Sequence, residues 1–155
     1  MSESALIGID LGKHTFHLHG QDKSGREVFR KKCSRAQMMQ FFGNVPSCVV
    51  VMEACAGSHY VARQLAAMGH TAKLISPQFV KPFVKGNKND FVDAEAICEA
   101  ASRPSMRFVT PKTESQQTLS VLHRMRESWV HDRTKTANQM HGFLLEFGVS
   151  LPKGL

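Results

Sequence analysis

Leu6-Ile7-Gly8-Ile9-Asp10-Leu11-Gly12-Lys13 and Cys48-Val49-Val50-Val51-Met52-Glu53 are two apolar runs, each ending at a carboxylate. The second is continuous and β-branched, which marks a strand buried on both faces. A third acidic stretch, Lys88-Asn89-Asp90-Phe91-Val92-Asp93, sets two more carboxylates one helical turn apart. Acids at the tips of buried strands are costly to place side by side unless a positive group neutralises them, and a divalent cation is the usual answer.

Working outward, the alternating Thr15-Phe16-His17-Leu18-His19 reads as a second strand with Phe16 and Leu18 inward and His17 and His19 outward. Asp22-Lys23-Ser24-Gly25 is turn chemistry, and Glu27 to Lys32 makes a third strand of a meander. Ser34 caps a helix from Arg35 to Phe42, stopped by Gly43-Asn44 and Pro46. Gly57-Ser58 opens another helix, with Val61, Leu65 and Met68 on one side and Gly69 as its stop. Thr71 to Ile75 is a fifth strand, Pro77 opens a short helical segment, and a helix runs from about Asp90 to Ser102 before Pro104. Three meandering strands, then helix, strand, helix, strand and helices, give an α/β chain with a mixed sheet, the ribonuclease H-like order, over residues 1–110.

Residues 111–155 differ in character. Glu114 to Phe147 contain no proline and a single glycine, Gly142, and Leu119, Leu122, Trp129, Met140, Phe143 and Phe147 recur in helical steps. Unbroken, that helix is about 50 Å long. Arg126, Arg133 and Thr136 interrupt its seam, so it is expected to pack on a partner or cross nucleic acid. Trp129, Met140, Phe143 and Phe147 are the expected contacts of a homodimer or higher homo-oligomer.

Composition narrows the function. At 155 residues the chain is about one domain, and its net charge of +7 points to a polyanionic partner. It has no apolar run of about 18 residues and no signal peptide, which predicts a cytoplasmic protein without a membrane span. The four cysteines show no paired spacing and read as reduced thiols. Positive charge gathers at Lys81, Lys85 and Lys88, running up to Asp90, and at Arg30, Lys31, Lys32 and Arg35. These are the candidate phosphate contacts.

Asp90 and Asp93 have a second reading as helix-capping acids, equally weighted for that pair alone. The set decides otherwise. Two hard divalent ions about 3.5–4 Å apart clamp the attacking and leaving oxygens of a phosphoryl displacement, and they demand oxygen ligands. Asp10 would bridge both ions, Glu53 and Asp93 would hold one each, and Asp90 would complete the set, with Mg2+ or Mn2+ as cofactor. His14, His17 and His19 suggest zinc less well, because alternation sends His17 and His19 outward.

The strings Gly8-Ile9-Asp10-Leu11-Gly12-Lys13, Met52-Glu53-Ala54-Cys55-Ala56-Gly57-Ser58 and Lys88-Asn89-Asp90-Phe91-Val92-Asp93-Ala94 resemble the N-terminal, RuvC-like domain of the DEDD transposases of bacterial insertion sequences. That group is similar to the RuvC junction resolvases and the pilin-gene inversion recombinase. Leu122-His123-Arg124-Met125-Arg126 to Leu144-Leu145-Glu146-Phe147-Gly148-Val149 resembles the family's interdomain helix. The resemblance implies divalent-metal-dependent DNA cleavage and strand transfer, DNA as partner, a structured guide RNA in some members, and a serine-bearing C-terminal domain. No matching serine motif precedes Leu155, so a fragment is expected. Rival readings are a stand-alone Holliday-junction resolvase, an actin-like ATP-binding domain, to which the first string is also similar, and a binding module with a structural ion.

Overall fold

The computed structural model describes residues 5–84 and 90–152, apart from the side chain of Asp90. The chain divides into two compact units, Met1–Pro111 and Lys112–Leu155. In the first, β1 (Leu6–Leu11), β2 (Thr15–Gln21) and β3 (Glu27–Ser34) form an antiparallel meander. The turn between β2 and β3 is closed by Asp22, whose Oδ1 accepts from the Ser24 and Arg26 backbone N–H groups and the Ser24 hydroxyl. Those bonds hold its carboxyl at about 2. The capping box of Ser34 with Gln37 starts α1 (Arg35–Asn44). Then come β4 (Val49–Glu53), α2 (Ser58–Ala67), β5 (Thr71–Ile75), α3 (Pro77–Val80), a 3₁₀ turn (Lys81–Phe83), α4 (Asp90–Ala101) and β6 (Phe108–Val109).

The six strands make a mixed sheet in the order β3-β2-β1-β4-β5-β6, with β1, β4 and β5 parallel. Period-two alternation splits its side chains between two faces. Ile7, Ile9, Phe16, Leu18, Val50, Met52 and Leu74 pack under Met38 and Phe42 of α1 and Val61 and Leu65 of α2. Val51 and Ile75 meet Ala96, Ile97 and Ala100 of α4. Both faces are therefore covered, which is why β4 reads as an unbroken apolar run.

α4 lies unusually close to β1. A Cβ on Gly8 would stand 2.5 Å from the Ala94 carbonyl oxygen and 2.6 Å from Cys98 Sγ. Only a residue without a side chain fits there. The small residues Ala94, Ala96 and Ala100, all buried, complete the approach from the helix side.

Several expectations need correction. His17 and His19 are 4% and 2% exposed, not outward, because the face they share is the one α4 covers. Burial lowers the His19 pKa against the opposing pull of Glu27 and Glu95. α1 continues through Gly43 to Asn44. Met68 lies past the end of α2 and is 40% exposed. β6, a two-residue edge strand, had no periodicity to reveal it.

His70 pins the other end of this unit. Its Nε2 lies 2.9 Å from the Phe42 carbonyl oxygen, and its Nδ1 accepts from the Cys48 backbone N–H. All four cysteines are free.

The second unit contains α5 (Glu114–Leu145), 32 residues and about 48 Å long, started by a capping box of Thr113 with Gln116. None of its residues is buried, and Trp129 and Phe143 are each 66% exposed. No helix among the described residues is long and apolar enough to cross a membrane.

Gly8→Ala is expected to destabilise the first unit by about 1–3 kcal/mol, since the added methyl meets backbone on α4. Gly43→Ala, in α1 with nothing within 4 Å of the new methyl, should instead stabilise by about 0.5–1 kcal/mol. Urea denaturation of both variants checks the pair, and equal midpoints would show that the close approach carries no cost.

Candidate metal centre

The parallel register of β1 with β4 ends at Ile9 opposite Met52, so the next step brings Asp10 level with Glu53. Alternation puts both on the α4 face, the side to which Gly8 and Val51 belong. On the helix, Asp93 directly precedes Ala94, the residue whose carbonyl crosses Gly8. Two strand ends and the first turn of one helix thus bring three carboxylates toward one space.

Their electrostatics agree with that placement. The Glu53 carboxyl is pushed above its ordinary value by burial first, then by the charges of Asp10 and Asp93. The nearby Cys55 thiol is also pushed up, by burial and by Glu53 and Asp10. Glu53 is therefore within the field of both Asp10 and Asp93. They do not close to bonding distance: among the described residues no three His, Cys, Asp or Glu side chains stand close enough together to hold one ion. Asp90 begins α4, and its side chain lies outside the described residues.

Two contributors escaped the sequence reading. His17 Nδ1 lies 3.9 Å from Asp10 Oδ2, longer than a hydrogen bond, with its ring edge-on to Phe91 at 4.7 Å between centroids. Phe91, between the two aspartates of α4, so fastens the acidic turn to β2. Only the burial of the α4 face, invisible in the period-two pattern, reveals this contact.

The basic residues are spread out. Alternation divides the β3 run: Lys31 pairs with Leu18 and lies over the Phe41 ring at 4.9 Å on the α1 side, whereas Arg30 and Lys32 pair with His19 and His17 on the α4 side. Arg30 is engaged by Glu27 at 2.6 Å and by Glu95 of α4 at 3.0 Å. Arg35 sits over the Phe16 ring. Lys32 and Lys81 are exposed, and Lys85 and Lys88 lie outside the described residues. The described cations are thus spread over both faces of the sheet.

A family model described as transposase, that of the DEDD transposases of the IS110 group, matches residues 7–148. The chain belongs to this family. It is 61% identical over its whole length to the transposase for insertion sequence element IS1328 of Yersinia enterocolitica, covering 46% of that protein. It is 52% identical over 143 residues to a probable family 20 transposase of Pseudomonas aeruginosa, covering 92% of this chain and 42% of the relative. To the transposase for insertion sequence element IS1111A of Coxiella burnetii it is 42% identical over 154 residues, or 99% of this chain and 42% of the relative. The chain spans less than half the length of these IS110-family relatives.

Because the folded state raises the Glu53 pKa, it binds that proton more tightly than the unfolded chain, and stability falls as pH rises above 4.5 through the folded value. Without divalent cations, Glu53→Gln should therefore raise the melting temperature at neutral pH. The gain should vanish below the ordinary carboxyl pKa. Thermal denaturation in a chelator across that range checks it, and a variant less stable than wild type at pH 7 would refute the repulsion.

Proposed function

We propose that this chain is the metal-binding half of a DNA transposase, built on a ribonuclease H-like, RuvC-like sheet, with Asp10, Glu53, Asp90 and Asp93 as ligands for Mg2+ or Mn2+. The observation that carries the reading is Glu53: a carboxylate half-buried at a strand end, with the charges acting on it among the described residues being those of Asp10 and Asp93. Such a set fits a hard cation, since its donors are all carboxylate oxygens. A bound divalent ion would supply Lewis-acid polarisation of a phosphoryl oxygen and lower the pKa of an attacking hydroxyl.

The chain's own residues have separate tasks. Asp10 and Glu53, fixed by adjacent parallel strands, set a rigid base for the site. Asp93 arrives on α4 and is held there by the Gly8 crossing and the Phe91–His17 contact. Lys81, Lys85, Lys88 and Lys32 would meet the phosphate backbone, while Arg30, Lys31 and Arg35 would do so only by giving up or sharing their present contacts. Strand transfer needs the remainder of the full-length transposase, and a structured guide RNA is a further partner of that whole protein. The working compartment is the cytoplasm.

Calorimetric titration with Mn2+ tests the centre: wild type should bind, and Asp10→Asn and Asp93→Asn should each weaken binding by about tenfold or more. Unchanged binding in Asp10→Asn would end the reading.

The exposed apolar side chains of α5 are assigned to a twofold contact with a second copy. Burying Trp129, Met140, Phe143 and Phe147 would contribute about 1.5–3 kcal/mol each before entropy. Sedimentation should show a dimer that Trp129→Ala with Phe143→Ala dissociates. A wild-type monomer at high concentration would refute this contact.

A further inference from the structure

A groove of about 440 Å³ opens between the 3₁₀ turn and the segment after α4, lined by Phe79, Pro82, Phe83, Ser105, Met106 and Arg107. Neither the acids nor the sheet core account for it. Its size is that of a small-ligand site. Phe79 is 39% exposed, a large aromatic surface left in water. Among the described residues no acid lines the groove, and one of its lining residues, Arg107, is a cation. The Arg103 guanidinium stands 5.4 Å from the Phe83 centroid and Lys73 Nζ 4.6 Å from that of Phe108, while Lys81 is exposed beside it. Glu99, paired with Arg103, is the acid that offsets them. Two aromatic rings beside the Arg107 cation match a nucleotide, whose base stacks and whose phosphate is anionic.

Position adds a second argument. Glu53 pairs with Ile75, and Ile75 pairs with Phe108, the residue after Arg107. The cross-sheet row that holds Glu53 thus ends, two strand spacings or about 10 Å on, at Phe108, the chain neighbour of the groove's Arg107.

We propose that this groove binds an unpaired nucleotide of a single strand, its base against Phe79 and Phe83 and its phosphate toward Arg107. A duplex keeps its bases stacked inside and cannot offer one, so the groove favours single-stranded over paired nucleic acid. The inference rests on the reading of the chain as a nucleic-acid enzyme, though not on its metal centre.

The test measures fluorescence anisotropy of the chain with a single-stranded thymidine oligonucleotide carrying one 2-aminopurine, and with a matched duplex, in a chelator at fixed salt. Phe79→Ala and Arg107→Ala should each weaken single-strand binding about tenfold, the loss of a stacked base or of a charge contact, and leave duplex binding nearly unchanged. The 2-aminopurine emission change should disappear in Phe79→Ala. Circular dichroism confirms folding, and Phe79→Leu, which keeps apolar bulk, should lose the emission change as well. Unchanged single-strand affinity in both variants, or an equal loss on duplex, overturns the proposal. So does an altered sedimentation coefficient in Phe79→Ala without single-strand binding by wild type, which would make the groove a protein contact. Chelation keeps this result separate from the Mn2+ titration of Asp10→Asn, so either reading can fail alone.

Discussion

The contact on which the rest of this fold depends is the crossing of α4 over β1 at Gly8. A side chain there would push the helix outward, and every consequence of the close approach would be lost together: the burial of His17 and His19, the Phe91 contact, and the delivery of Asp93 to the strand ends. The helix answers with alanines where it meets the sheet, so the interface is made by backbone proximity more than by interdigitated bulk. Arg30 of β3 adds an outer tie to Glu95 on the same helix. Exposed ion pairs of this kind contribute little to stability, and this one serves chiefly to set the lateral position of the helix.

The acids sit where the fold is least tolerant of them. β4 is buried on both faces until its last residue, and Glu53 stands at the point where burial gives way to solvent. Burial and the charges of Asp10 and Asp93 disfavour the ionised form of a carboxylate placed there. The ionised Glu53 thus works against folding, a pattern common to functional sites.

Much of this was legible in the residues. The strands from β1 to β5, the short helices and the long α5 follow from alternation, capping residues and helical spacing, and Asp10, Glu53 and Asp93 stand out in the chain because two end apolar runs and the third lies in the first turn of a helix. What was not legible depends on which faces are covered. His17 and His19 alternate correctly, yet alternation cannot say that a distant helix closes over the side assigned to solvent. The basic run of β3 looks like one patch in the chain, and the pleat divides it between two faces. β6 is too short to carry a period, and the groove beside it is made by segments that have no regular pattern at all.

The three described acids come from β1, β4 and α4, and the pairing that aligns the first two is parallel, so it cannot form until the intervening hairpin, α1 and their connections have been laid down. The set is finished only when the chain has passed Asp93. Parallel pairing of this kind is slow and long-range, which means that a nascent chain short of α4 has at most two of the three carboxylates in place. The order of the secondary structure thus fixes a sequence of assembly, in which the three carboxylates come together only after α4 has been made.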